Sequence, residues 1–289
     1  MKLALGTVQF GLPYGVANTS GRQVSFEEVK EILALAKNRG ITTLDTAIAY
    51  GDSEKVLGKV GVKGCELITK LPKLPLQCAD VFGWVLSEIK GSLHRLKVEQ
   101  LHGVLLHHPQ DLMGKNGAEL VRAMEQIKAE GLGRKIGVSV YEPSQLSDTE
   151  NYMKLDIVQG PASIFDRRFI DAGIIKKLHA QGIEFHARSI FLQGLLLMDQ
   201  IQRPKFFQQF SSAFKKWDEW IANKNISRME ACLGYLDGFS EIDRVVIGVD
   251  SVAQLSTILK GFNSQSLMPP LFVDSSELNL LNPALWRAE

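Results

Sequence analysis

Short apolar runs alternate along the chain with longer segments whose apolar positions recur every three or four residues. The first pattern predicts buried strands and the second amphipathic helices. Eight strands are predicted: Leu3–Thr7, Thr42–Ala47, Glu66–Leu71, Gly103–His107, Lys135–Val140, Ile157–Gly160, Glu184–Ser189 and Arg244–Val249. Helices are predicted over Phe26–Arg39, Asp80–Leu96, Ala118–Ala129, Ala172–Ala180 and Val252–Lys260. Ser25 has the chemistry of an N-cap with Glu28 at the capping-box position, while Gly40, Gly131 and Gly182 act as stops. Such alternation implies parallel strands joined by crossover helices.

Eight units of this kind predict an α/β protein of the (β/α)8 TIM-barrel class, a single domain over residues 1–289. A doubly wound open sheet shares the alternation. It would place a Gly-rich phosphate loop after its first strand, and Gly6-Thr7-Val8-Gln9-Phe10-Gly11 lacks the GxGxxG spacing. Arg203–Asn225 is predicted as an extra helical insertion between strands seven and eight. Its Phe206, Phe207, Phe210, Phe214, Trp217 and Trp220 suit a face packed on the barrel, with a lid as the alternative.

The chain has 289 residues, 45% of them hydrophobic, which is ample for a barrel that normally needs about 250. Its 33 basic and 32 acidic residues form no block, which argues against nucleic acid or an anionic membrane as a partner. No apolar run approaches the roughly 20 residues of a membrane span. Cys65, Cys78 and Cys232 are odd in number and lack metal-ligand spacing, so no metal site is expected and a reduced, cytoplasmic setting is. Oligomeric state is not legible.

Candidate chemistry lies at strand ends. Asp45 interrupts an apolar strand, and a buried carboxylate is costly without a cation or donor. Tyr50 follows it. The next strand ends in Lys70 and the one after in His107 and His108. In a barrel these ends converge on one face. There Lys70 beside the Tyr50 phenol would ease loss of its proton, Asp45 would compensate and orient the ammonium, and His107 would orient a substrate carbonyl. Singly, each has a plainer role as an ion-pair member, a surface phenol or an exposed strand end. Their order on consecutive strands makes the set informative. His102 and His108 are expected to be structural. Phe10, Tyr14, Tyr141, Phe165 and Trp286 are candidates for the pocket mouth.

Asp45 to Tyr50 followed by Gly-Asp-Ser-Glu and Val56-Leu57-Gly58, with Thr69-Lys70 and Leu105-Leu106-His107 plus Pro109, resembles the aldo-keto reductase family over nearly the whole chain. The resemblance implies reduction of an aldehyde or ketone by a nicotinamide dinucleotide, with Tyr50 as proton donor and Asp45, Lys70 and His107 completing a tetrad. It implies NADP(H), or alternatively NAD(H), bound without a Rossmann fold. Ser139 and Gln159 would hold the carboxamide, and Gly6, Thr7 and Asp45 would lie beneath the nicotinamide ribose. Ser189, Gln193 and Gly194 would run over the pyrophosphate, and Gly248, Asp250, Ser251 and Gln254 would open the last helix toward phosphate. Arg188 stands where an aromatic usually stacks on the nicotinamide, and Gly248 and Gln254 where basic residues often grip the 2′-phosphate. Two other readings remain: a cofactor-binding regulatory or sensor protein with little turnover, and a Schiff-base lyase using Lys70.

Overall fold

The structure is a computed structural model and describes residues 2–16, 18, 21–262 and 267–286. Eight parallel strands close into one barrel in sequence order: β1 (Leu3–Gly6), β2 (Thr43–Asp45), β3 (Glu66–Leu71), β4 (Leu101–Leu106), β5 (Gly133–Ser139), β6 (Ile157–Pro161), β7 (Glu184–Arg188) and β8 (Arg244–Gly248). Helices α1 (Phe26–Asn38), α2 (Ser53–Val60), α3 (Val81–Leu96), α4 (Gly117–Ala129), α5 (Pro143–Glu150), α6 (Arg168–Asp171) and α7 (Ile174–Ala180) lie between successive strands up to β7. Helices α8 (Ser211–Lys224) and α9 (Arg228–Asp237) precede β8, and α10 (Val252–Gly261) and α11 (Leu278–Leu281) follow it.

The expected (β/α)8 class is found, with shifted boundaries. β4 and β5 start two residues early because Leu101 pairs with Gly133, a pairing hidden in sequence by polar His102 and the glycines of the preceding turn. The seventh helix starts at Ile174, since Gly173 adopts a left-handed φ of 69° and separates it from α6. Helices α2, α5 and α9 escape the sequence reading. α5 buries only Leu146 and Thr149, too little to show as an apolar period. At α1, Ser25 accepts from the Glu28 amide as expected, but the Glu28 carboxylate does not complete a capping box. It reaches across to accept from the Val252 amide at 2.7 Å.

Alternate residues of β3 trace the barrel interior from floor to mouth. Glu66 lies in a polar floor, accepting from Thr43 at 2.8 Å and Arg244 at 3.0 Å, with His102 at 3.8 Å. Glu184 continues that floor, 3.9 Å from His102, 3.1 Å from His186 and paired with Lys135. Ile68 sits above with Leu105 and Ile157 in a small dry cluster. Gly103 makes room for it, since a Cβ there would come within 2.8 Å of both Ile157 and Ile68. Lys70 ends the series at the mouth.

Between β7 and β8, α8 presents Phe214 and Trp217 to Phe165 and Phe272, with ring centroids 5.4–5.7 Å apart. Those aromatics are packing, as their spacing suggests. Among the described residues no helix is long and apolar enough to cross a membrane.

One buried carboxylate ties helices to barrel. Glu54, 2% exposed, accepts from Thr69 (2.7 Å), Ser92 (2.6 Å) and Arg95 (2.7 Å), joining α2, β3 and α3. Removing the acceptor strands three donors, so Glu54→Ala should lower unfolding free energy by about 3–5 kcal/mol. Urea unfolding followed by circular dichroism checks this; a loss under about 1 kcal/mol would contradict the account.

Candidate functional site

Tyr50 is placed by backbone contact. Between β2 and α2 the chain turns through Gly51, whose φ is 54°, and a Cβ there would lie 2.5 Å from the Gly11 carbonyl oxygen. A Cβ on Gly11 would lie 1.8 Å from the Tyr50 carbonyl oxygen. Only glycine permits the turns after β1 and β2 to touch this closely. Hydroxyls lock the contact: Ser53 Oγ is 2.8 Å from the Thr7 carbonyl oxygen, 2.9 Å from Thr7 Oγ1 and 3.2 Å from Thr46 Oγ1.

The four catalytic candidates meet at the barrel mouth. Lys70 Nζ donates to Asp45 Oδ1 at 2.7 Å and to the Thr46 carbonyl at 2.9 Å. Gln159 Nε2 donates to the other Asp45 oxygen at 2.8 Å. Lys70 lies 5.2 Å from the Tyr50 ring centroid, and the His107 ring meets Tyr50 edge to face at 5.9 Å. The two hydrogen bonds of Lys70 go to Asp45 and Thr46, so it stands beside the Tyr50 ring while Asp45 compensates and orients it. Burial holds the Tyr50 phenol well above its ordinary value, Asp45 adds to the rise, and Arg188 is the cation that opposes it. Burial lowers Lys70, with Asp45 pulling back. His107 is pushed down to about 3 by burial and then by Lys70, His108 and Arg188, so its imidazole is neutral at pH 7.

A cleft of about 670 Å³ opens over this group. Asp45, Tyr50 and His107 line it, while Lys70 stands behind Asp45, 1% exposed. Of the cofactor-binding candidates, Gly6, Thr7, Ser139, Gln159, Arg188, Ser189, Gln193, Gly194, Gly248, Asp250 and Gln254 all line the same cleft. Ser251 does not; its side chain caps α10 by accepting from the Gln254 amide. Tyr14 and Tyr141 are at the cleft, the Tyr14 phenol pushed up to about 12 by burial and then Tyr50. Phe10, Phe165 and Trp286 are not at the mouth: Phe10 and Phe165 are core, and Trp286 packs on Phe207.

Arg188 donates to the Val140 carbonyl at 2.9 Å and to Ser189 Oγ at 3.1 Å, with its guanidinium 4.2 Å from the Tyr141 ring centroid. Ser189, Leu192 and Gln193 hold left-handed φ values of 58°, 45° and 54°. Non-glycine residues in that region are strained, and two of these three, Ser189 and Gln193, line the cleft. Two buried oxygens of residues that line the cleft have no hydrogen-bond partner, Gln9 Oε1 and Asp250 Oδ1. Both suit a ligand that supplies donors, so the residues present fit a polar, elongated cofactor. Sequence reasoning missed Gln9, whose signal was its place just past the end of β1.

The sequence profile described as the Aldo/keto reductase family matches residues 2–268. An aldo-keto reductase of Gibberella moniliformis is 26% identical over 83% of this chain and 74% of its own length. The uncharacterized oxidoreductase YqkF of Bacillus subtilis is 26% identical over 82% of each chain. Of the oxidoreductase sirO of Leptosphaeria maculans, 26% identical over 68% of this chain, the match spans 61%. Among solved structures, the holo form of an aldo-keto reductase from Bacillus halodurans superposes with a TM-score of 0.71 at 18% identity, over 92% of this chain and 88% of that one.

The low His107 value has a measurable consequence. Unfolded, the imidazole takes a proton near pH 6.5; folded, it resists until about pH 3. Its contribution is fully present above the unfolded value and is lost as pH falls, by up to about 1.4 kcal/mol per pH unit. Urea unfolding at about pH 7 and about pH 5 should show the parent losing more stability than His107→Asn. Equal losses would place a protonated imidazole in the folded site.

Proposed function

Because the chain belongs to the aldo/keto reductase family, we propose that it is an oxidoreductase that reduces an aldehyde or ketone to the alcohol, with Tyr50 giving the proton. The observation that carries this reading is the meeting of Asp45, Tyr50 and His107 in one cleft, with Lys70 held directly behind Asp45. A bound reduced nicotinamide supplies a hydride to the carbonyl carbon. The nicotinamide dinucleotide is NADP(H) or NAD(H), the two forms the sequence resemblance leaves open in that order.

The chain's own groups handle the oxygen. Neutral His107 has one ring N–H to donate, enough to orient a carbonyl oxygen without bringing a second cation beside Lys70. Tyr50 holds its proton firmly in the resting site, since burial and Asp45 both oppose phenolate. It therefore releases that proton only to a strong base, which the carbonyl oxygen becomes as it turns to alkoxide. Arg188 eases the release by favouring the phenolate left behind. Asp45 keeps Lys70 paired, and Gln159 keeps Asp45 pointed at Lys70. The position also counts against a Schiff-base role, because Lys70 is 1% exposed, donates to Asp45 at 2.7 Å and does not line the cleft, so a carbonyl carbon held there does not meet its nitrogen.

Tyr50→Phe removes the proton and leaves the ring. Its kcat with an aldehyde and ketone panel should fall about 10²- to 10⁴-fold, while the dissociation constant of the dinucleotide changes little. Steady-state kinetics with fluorescence titration test both halves. Parental turnover in Tyr50→Phe would exclude Tyr50 as donor, and absence of turnover by the parent with any carbonyl would favour the regulatory reading.

A further inference from the structure

The cleft is electrically uneven. Arg188, the only Lys or Arg among the described residues that line it, acts on the Tyr50 and His107 end. The other end is built from the turn after β1 and the junction of β8 with α10, through Gln9, Gly248, Asp250 and Gln254. Here the charge is negative. Asp250 lines the wall with one oxygen buried and unpartnered, its amide held by Gln254 Oε1 at 2.8 Å. Glu28 approaches from α1 and takes the Val252 amide at 2.7 Å, while Ser251 takes the Gln254 amide at 3.2 Å. Two first-turn donors of α10, which would otherwise attract a phosphate, are thus occupied, one of them by a carboxylate.

Shape adds to charge. A Cβ at position 248 would lie 2.4 Å from Gln9 Nε2 and 3.0 Å from Gln9 Oε1. The Gln9 amide therefore fills the space from which a longer, cationic side chain on β8 could project. Its Oε1, like Asp250 Oδ1, is buried without a donor. Two such acceptors match a vicinal diol, which has two O–H groups to give. They mismatch a phosphate monoester, which at neutral pH offers acceptors and about two negative charges.

Resting on the reading of this cleft as a nicotinamide-dinucleotide site, we propose that it takes NAD(H) in preference to NADP(H). Asp250 and Gln9 accept from the adenosine-ribose hydroxyls, and Glu28 with Asp250 repels a 2′-phosphate. This reverses the order of preference implied by the resemblance. A like-charge repulsion of about 2 kcal/mol in a partly buried setting corresponds to about 30-fold discrimination.

Binding tests this without turnover. The parent protein titrated with NADH and with NADPH, read by tryptophan quenching and by calorimetry, should hold NADH at least about 30-fold more tightly. The isosteric double variant Glu28→Gln, Asp250→Asn, its fold checked by circular dichroism, should bind NADPH about fivefold or more better and NADH more weakly. Raising salt should narrow the gap in the parent more than in the variant. NADPH binding as tight as NADH in the parent overturns the preference while sparing the reading of the cleft. Binding of neither overturns that reading and the preference together.

Discussion

The Lys70 ammonium and the Asp45 carboxylate sit 2.7 Å apart at the mouth of the barrel, with side chains 1% and 6% exposed. Taking two ions out of water costs several kcal/mol each, and their attraction offsets this only when the remaining valences are also filled. Here they are: Thr46 accepts from Lys70, and Gln159 donates to the second Asp45 oxygen. The pair therefore cross-links β2, β3 and β6, and it fixes the electrostatics of what stands over it. Asp45 helps to keep Tyr50 protonated, and Lys70 helps to keep His107 neutral. Loss of either partner would leave a buried charge alone and would remove one of those two contributions, burial remaining the larger cause of each.

A barrel with charge at its mouth needs a dry middle and a closed floor. Ile68, Leu105 and Ile157 supply the first, and Gly103 and Gly137 give them space; a Cβ on Gly137 would come 1.8 Å from the Ile157 carbonyl oxygen. The floor is ionic instead of apolar. Glu66 and Glu184 gather Thr43, Arg244, His102, His186 and Lys135, so the strand starts are joined side chain to side chain. Low dielectric in the middle layer preserves the strength of the Asp45–Lys70 attraction above it.

The barrel was legible because its strands are short apolar runs separated by helical periods, and each unit repeats the same signal. The tetrad was legible as charged or titratable residues at consecutive strand ends, where chemistry stands out against an apolar background. Less of the wiring was readable. Whether Lys70 spends its hydrogen bonds on Tyr50 or on Asp45 depends on ångström-scale direction, which spacing does not encode. Glu28 misled for a similar reason. Ser-x-x-Glu is a local signal, but the carboxylate also had a distant unsatisfied donor in Val252, and the tertiary contact prevailed. Gln9 and the left-handed loop at Ser189–Gly194 carry no periodic signature, since loop backbones are set by what they contact.

The two ends of the cleft are held by different kinds of structure. At the Tyr50 and His107 end, position follows from sheet register: Gly6 opposite Asp45, Asp45 opposite Ile68, Ser139 opposite Gln159. A change there shifts backbone and is felt across several strands. At the far end the specific contacts are made by side chains, Glu28 to Val252, Gln254 to Asp250, and Gln9 over Gly248. Exchanging those side chains alters charge and hydrogen-bonding sense without moving a strand. Selection among ligands that share one end but differ in a remote group is therefore free to vary on a fixed barrel frame.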